Sequence, residues 1–341
     1  MWITNREKEI LKLSIEIYIK EGTPVSSRMI SKKKKNYFSP ATIRNEMLSL
    51  EEKGYFFQPH SQSGRIPTPK AIRYYIKNLI NSNQIDIPDL GFKSLSSKTT
   101  ELRSFWDAVS EDLSTFSDNI GFIIAPSFFS IKFNELKFIK IGEKRVLILI
   151  ETLSHLTATK VVQTDENIEQ KELNQFTDYL LNRYRGKSLD QIIKDIYIQT
   201  RNKQKKLLDF ISFLKKQVLI NDETFKLYFK GEEKLLERSI NKDIEKITEL
   251  IQLLENRKKL IQLLREAKNQ GDVNIFFSPL IGENTYDDFT LIVSDYYCDN
   301  EIEGKVGVLG FRRINYPFIY NLVKKTANDL SEILYGKNVK I

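Results

Sequence analysis

The segment Phe38 to Thr68, FSPATIRNEMLSLEEKGYFFQPHSQSGRIPT, constrains the fold more tightly than any other stretch of the chain. Ser39 suits a helix N-cap, and Pro40 suits the first helical position, where its missing N–H has no intrahelical acceptor to lose. Ile43, Met47 and Leu50 then recur at spacings of four and three, which makes one helical stripe and turns Ala41, Thr42, Asn45 and Ser49 toward the opposite side. Gly54 stands where that helix ends, and Tyr55-Phe56-Phe57 has the aromatic content of a strand. A hairpin centred on His60 to Gly64 follows, with Gly64 free to adopt the positive φ that a tight turn can demand. The order is capped helix, turn and short hairpin.

Upstream, Thr4 and Glu7 make the capping-box spacing, and Ile10, Leu13 and Ile17 follow on one face up to Gly22. Thr23-Pro24 marks a turn. Ser26 or Ser27 can cap a second helix through Ile30, which runs into Lys32-Lys33-Lys34-Lys35. Three helices followed by a hairpin predict a winged helix-turn-helix over residues 1–80, with a further helix from Lys70 to Ile80.

Charge sharpens this expectation. Residues 1–80 hold 15 Lys+Arg against 7 Asp+Glu, whereas residues 81–341 hold 38 of each, so the whole net charge of +8 lies in the first quarter. A basic excess of this size in one small domain is the electrostatic footprint of polyanion binding, although a solvated lysine-rich face gives the same count. In a helix-turn-helix the N-terminal part of the reading helix enters the major groove. Thr42 and Asn45 are placed to reach base edges there, asparagine being suited to bidentate contact with adenine. Arg44 lies to the side, where it suits either phosphate or guanine N7 and O6. The candidate DNA-binding set is Ser39, Ala41, Thr42, Arg44 and Asn45 on the third helix, Arg28 and Lys34 around the second, and His60, Gly64 and Arg65 in the hairpin. Arg65 is expected to reach a minor groove or a phosphate. His60 is expected either to add a contact or to bond its own turn. Lys32 to Lys35 are expected either to supply phosphate attraction without sequence preference or, for about half of them, to form a plain solvated charge run.

The remaining chain reads as an α+β region. Residues 81–100, polar and broken by Pro88 and Gly91, suit a linker. Short apolar runs at Ile120–Ala125, Leu136–Ile141, Val146–Ile150, Val273–Phe277, Phe289–Ser294 and Val306–Phe311 predict strands, with helices over about Glu166–Tyr184 and Tyr316–Leu334. Residues 101–200 and 270–341 are thus expected to form one domain, interrupted by a mainly helical insertion at 201–269. Within that insertion Ile240, Ile244, Ile247, Ile251, Leu254, Lys258 and Ile261 alternate spacings of four and three. That pattern fits a helical interface, and equally an ordinary bundle helix, because Leu250, Leu253 and Leu264 widen the apolar face.

Several classes are disfavoured. The single cysteine, Cys298, an expected buried strand residue, allows no internal disulfide framework and no cysteine-rich zinc site, which suits a reducing cytoplasm. No run has the length of a membrane span, and the N-terminus lacks a signal-peptide core. The two histidines, His60 and His155, are far apart, with His155 reading as a turn residue. No phosphate loop, metal-ligand cluster or nucleophile elbow is apparent, so no enzyme, metal or cofactor is expected.

PVSSR (Pro24 to Arg28), SPATIRNEM (Ser39 to Met47), LEEKG (Leu50 to Gly54), QPHSQSGRIPT (Gln58 to Thr68) and RYY (Arg73 to Tyr75) closely resemble the HrcA family of bacterial heat-inducible transcription repressors. GKVGVLGFRRINY (Gly304 to Tyr316) and LSEIL (Leu330 to Leu334) are similar to that family's ending. The segment KKKNYF (Lys33 to Phe38) is more basic than the Gly-containing turn usual in relatives, and Ala71 stands where they usually carry glycine. The resemblance implies an N-terminal winged helix, a GAF-like domain and an inserted dimerising domain. It further implies a homodimer that represses chaperone operons such as groE and dnaK by binding the CIRCE inverted repeat in double-stranded operator DNA, with the chaperonin GroEL as a partner that keeps the repressor active. A winged-helix regulator controlled by a small molecule in the GAF-like domain is the alternative expectation.

Overall fold

The computed structural model describes residues 2–33, 38–78, 86–92, 101–199, 209–210, 212, 226–237, 272–277, 289–298 and 301–335. The chain is a mixed α+β protein. It divides into two compact units, one comprising Met1–Pro88, Ile275–Ile292 and Leu309–Leu322, the other Asp89–Asn274, Val293–Val308 and Val323–Ile341.

In the first unit, α1 (Asn5–Glu21) opens with the expected capping box, Glu7 N–H donating to the Thr4 hydroxyl and Thr4 N–H to the Glu7 carboxylate. It closes at Gly22, whose φ of 71° is left-handed and whose N–H donates to the Tyr18 carbonyl. After α2 (Ser27–Lys33), α3 (Pro40–Glu52) begins at Ser39, whose hydroxyl accepts from Thr42 N–H. β1 (Phe56–Phe57) and β2 (Ile66–Pro67) pair antiparallel, Phe56 opposite Pro67 and Phe57 opposite Ile66. A bridge between Val25 and Arg65 ties the hairpin to the turn before α2, and α4 (Pro69–Asn78) follows. The stripe read from the sequence is the core: Ile43, Met47 and Leu50 are buried with Ile10, Leu11, Ile15, Val25, Ile30, Phe56 and Tyr75. Burying each such side chain contributes about 1.5–3 kcal/mol, so truncating Ile43 to alanine loosens α3 from the rest of the core.

The second unit contains α5 (Leu102–Ser117), buried along Phe105, Trp106, Val109 and Leu113, and β3 (Ile120–Ala125). The strands β4 (Glu135–Gly142), β5 (Arg145–Glu151) and β6 (Thr157–Gln163) form a separate antiparallel sheet in that order. It presents Leu136, Phe138, Val146, Ile148, Ile150 and Val162 as its buried face. Side chains of α6 (Gln170–Tyr184) close the β4 edge: Lys140 N–H donates to Gln170 Oε1 at 2.7 Å, Gln170 Nε2 to the Phe138 carbonyl at 3.0 Å, and Phe138 N–H to Thr177 Oγ1 at 3.3 Å. An edge whose backbone is already bonded cannot template another strand. α7 (Leu189–Gln199), β7 (Lys226–Lys230) and α8 (Glu232–Glu237) follow. Beyond them lie β8 (Val273–Phe277), β9 (Phe289–Cys298), β10 (Glu301–Phe311) and α9 (Tyr316–Tyr335).

The larger sheet has the order β7-β3-β10-β9-β8. It departs from the expected boundaries. β7 lies inside residues 201–269, yet it pairs antiparallel with β3, from Gly121 opposite Lys230 to Ala125 opposite Lys226. The separate three-stranded sheet lies instead within 101–200, so the excursion from the larger sheet falls between Ala125 and Lys226. The strand was missed because KLYFK is short and flanked by lysines, and pairs with a segment about a hundred residues away. The helical pattern from Ile240 to Ile261 lies outside the described residues. Residues 86–92 of the expected linker are largely irregular, but Leu90 and Phe92 are buried. Among the described residues, no helix is long and apolar enough to cross a membrane.

Candidate nucleic-acid interface

The N-terminal cap fixes how α3 presents its polar side. Ser39 satisfies Thr42 N–H at 3.1 Å, and the two hydroxyls lie 2.9 Å apart, so Thr42 is half-occupied at the cap and half-exposed. With Ile43, Met47 and Leu50 inward, Ala41, Arg44, Asn45 and Leu48 are exposed. The spacing from Ala41 to Asn45 to Leu48, four then three, makes a single helical face. Leu48, 49% exposed, was not among the expected site residues, although its position seven after Ala41 is the signal that finds it. An apolar side chain on such a face matches the thymine methyl in the major groove, as asparagine matches adenine.

Glu7 sets the position of the other end of α3. Its side chain, almost fully buried, accepts from Thr4 N–H at 2.7 Å, from the Ser49 hydroxyl at 2.8 Å and from Lys53 Nζ at 2.5 Å. Burial works to raise the carboxyl pKa, but the bonds from Lys53, from the Thr4 backbone and from Ser49 outweigh it and hold the group down at about 2. The ionised carboxylate therefore staples the first turn of α1 to the last turn of α3.

The hairpin is also tied down. Gln58 Nε2 donates to the carbonyls of Ser61 and Ser63, at 3.1 and 2.8 Å, and Ser63 bonds back to His60 through both its N–H and its hydroxyl. His60 is thus a turn residue through its backbone, with an exposed side chain. Two expectations for this loop are corrected. Gly64 does not use a positive φ; a Cβ there meets the Pro24 carbonyl oxygen at 2.5 Å and the Val25 carbonyl carbon at 2.6 Å, so glycine is required by close backbone approach. Arg65 does not point outward to a groove or a phosphate. It is 8% exposed, its backbone exchanges hydrogen bonds with Val25, and its Nε donates to Glu51 Oε2 at 2.8 Å. A carboxylate on α3 and the backbone bridge to Val25 together draw the guanidinium inward.

On α2, Arg28 and Lys32 are exposed, and Lys33 pairs with Glu16 at 3.0 Å. Lys34 lies outside the described residues. Lys53 is turned inward to Glu7, whereas Lys70 stays exposed with its Nζ donating to the Lys53 carbonyl and lying 4.6 Å from the Tyr55 ring centroid. Arg28, Lys32 and Arg44 are therefore exposed cations alongside the α3 face. Within the same unit, Arg312 donates to the Pro67 carbonyl at the end of β2, and the Arg73 guanidinium lies over Phe277 at 5.2 Å. Nothing in the local sequence signalled these long-range ties.

A family model described as the HrcA protein C terminal domain matches residues 105–319. Heat-inducible transcription repressor HrcA of Geobacter sulfurreducens is 30% identical over 340 residues, spanning 98% of this chain and 99% of its own length. The chain belongs to the HrcA family. HrcA proteins of the same name from Desulfitobacterium hafniense and Bacillus pumilus are 29% and 27% identical, covering 98% and 97% of this chain and 98% of their own. A crystal structure of a hypothetical protein superposes with a TM-score of 0.65 at 23% identity, covering 98% of this chain and 99% of that one, which supports the fold. The similarity to HrcA extends along essentially the full length of the chain.

Proposed function

We propose that this protein is a sequence-specific transcription repressor of heat-shock genes, in which α3 is the recognition helix and the β1–β2 hairpin the wing of a winged helix-turn-helix. The observation that carries the reading is the exposed face Ala41, Arg44, Asn45 and Leu48 on a capped helix that leads directly into the hairpin, within a first quarter of the chain that is itself strongly basic. Amide, guanidinium and methyl groups on one helical face are the chemistry that reads a major groove. Arg28 and Lys32 add phosphate contacts that position the helix.

In this reading the five-stranded sheet with α5 belongs to the GAF-like domain, and the excursion carrying β4 to β6 is the inserted dimerising domain. The protein acts in the cytoplasm as a homodimer on an inverted repeat of the CIRCE type, because a two-fold dimer places identical recognition helices on symmetric half-sites. Chaperonin GroEL is the partner expected to keep it active. In vitro transcription from a promoter carrying the repeat tests the reading: added protein should silence that promoter and spare one with the repeat scrambled. Equal silencing of both, or of neither, refutes it.

A further inference from the structure

Arg65 stands at the base of the wing loop, where an arginine is expected to touch DNA, yet its side chain is one of the few buried cations in the first unit. Its partner, Glu51, is in the last turn of α3, on the helix that carries the reading face. The ion pair spans 2.8 Å, with the arginine side chain 10% and the glutamate side chain 26% exposed. Behind it the wing is locked to the turn before α2 by paired Val25 and Arg65 backbone bonds of 2.8 and 2.9 Å, and by Gly64 lying flat against Pro24 and Val25. The wing loop therefore has two anchors, one on the turn and one on α3.

We infer that Arg65 is a positioning residue, holding the wing at a fixed angle to the recognition helix through Glu51, and that the Arg65–Glu51 pair contributes to operator specificity without either side chain contacting DNA. A wing and a helix that must engage the same duplex together lose affinity when their relative placement is loosened, because ordering them is then charged to binding. The sign of the Glu51 effect separates this from simple electrostatics. Removing a carboxylate from a basic DNA-binding surface should tighten binding, or leave it unchanged, if the residue acts only through its charge. Positioning predicts the opposite.

The inference rests on the repressor reading, and the experiment separates the two. The full-length protein, Glu51→Gln, Arg65→Gln, Arg65→Lys and the double glutamine variant are titrated by fluorescence anisotropy against a duplex carrying the inverted repeat and against a scrambled duplex, over a range of salt. Glu51→Gln and Arg65→Gln should each weaken binding to the repeat about tenfold, and the double variant no further than either single one, as for two groups acting through one contact. Binding to scrambled DNA and the salt slope should stay unchanged, and Arg65→Lys should recover most of the loss. Glu51→Gln exchanges a partly exposed carboxylate for its isostere, so it supplies a folded test even if Arg65→Gln unfolds. With wild-type discrimination intact, unchanged or tighter binding by Glu51→Gln overturns the inference, as does a salt slope flattened by about one unit in Arg65→Gln, the mark of a lost phosphate contact. Equal wild-type affinity for the two duplexes overturns the repressor reading, and the inference with it.

Discussion

Replacing Glu7 by glutamine tests the staple between α1 and α3 while leaving its shape in place. The amide oxygen can still accept from Thr4 N–H and the Ser49 hydroxyl, so the change removes chiefly the charge facing Lys53 at 2.5 Å. Folding lowers this carboxyl from 4.5 to about 2. At about 1.36 kcal/mol per tenfold change in proton affinity, the ionised form contributes about 3 kcal/mol at neutral pH, with little discount for screening because the group is 1% exposed. The folded value lies below the unfolded one. The contribution is therefore complete well above pH 4.5, and is lost as pH falls toward 2. Amide hydrogen exchange of the full-length protein, read by mass spectrometry on α1 and α3 peptides, gives the free energy of opening this region. At pH 7 the variant should open about 2–3 kcal/mol more easily than the wild type, with the gap closing as pH is lowered from 5 toward 3. A gap that keeps its size across that range, or no gap at neutral pH, refutes the assignment of the stabilisation to an ionised Glu7.

Asn45→Ala should weaken binding to the inverted repeat by about 1–3 kcal/mol in anisotropy titrations and leave scrambled DNA nearly unaffected; a uniform loss on both marks Asn45 as a backbone contact. Ser39→Ala should cost about 1 kcal/mol through the lost cap on Thr42 N–H, measured by exchange of the first-turn amides of α3. Gly64→Ala should destabilise the first unit by about 1–3 kcal/mol in thermal unfolding, because the added methyl meets backbone at 2.5 Å and the wing must shift.

Local signals in the sequence were strong enough to place the helices of the first eighty residues. The Thr4–Glu7 box, the Ser39 cap and the Ile43–Met47–Leu50 stripe each depend on residues within one or two turns, and each recurs in the structure at the expected position. What depended on distant partners was not legible. β7 is a five-residue strand that pairs with β3, and β6, TATKVVQ, alternates polar with apolar residues too weakly to stand out. The helix α5 buries Phe105, Trp106, Val109 and Leu113 at helical spacing, a pattern that is present in the sequence although no helix is expected there. Arg65 was misplaced for a similar reason: an arginine beside a hairpin glycine defaults to solvent unless a carboxylate is brought to it, and Glu51 is brought there only by the packing of α3 against the wing. Gly64 was singled out correctly as special but for the wrong reason, since close approach to Pro24 is invisible in a local pattern.

The central claim is that the first unit reads DNA sequence through α3 and its wing. The ratio of dissociation constants for a scrambled duplex and for the CIRCE-type repeat, measured with full-length protein at one near-physiological salt concentration, tests it most directly. The account predicts a ratio of at least about a thousand, as for specific regulators in general. A ratio near one would reduce the basic first quarter of the chain to a nonspecific polyanion-binding surface and contradict the account.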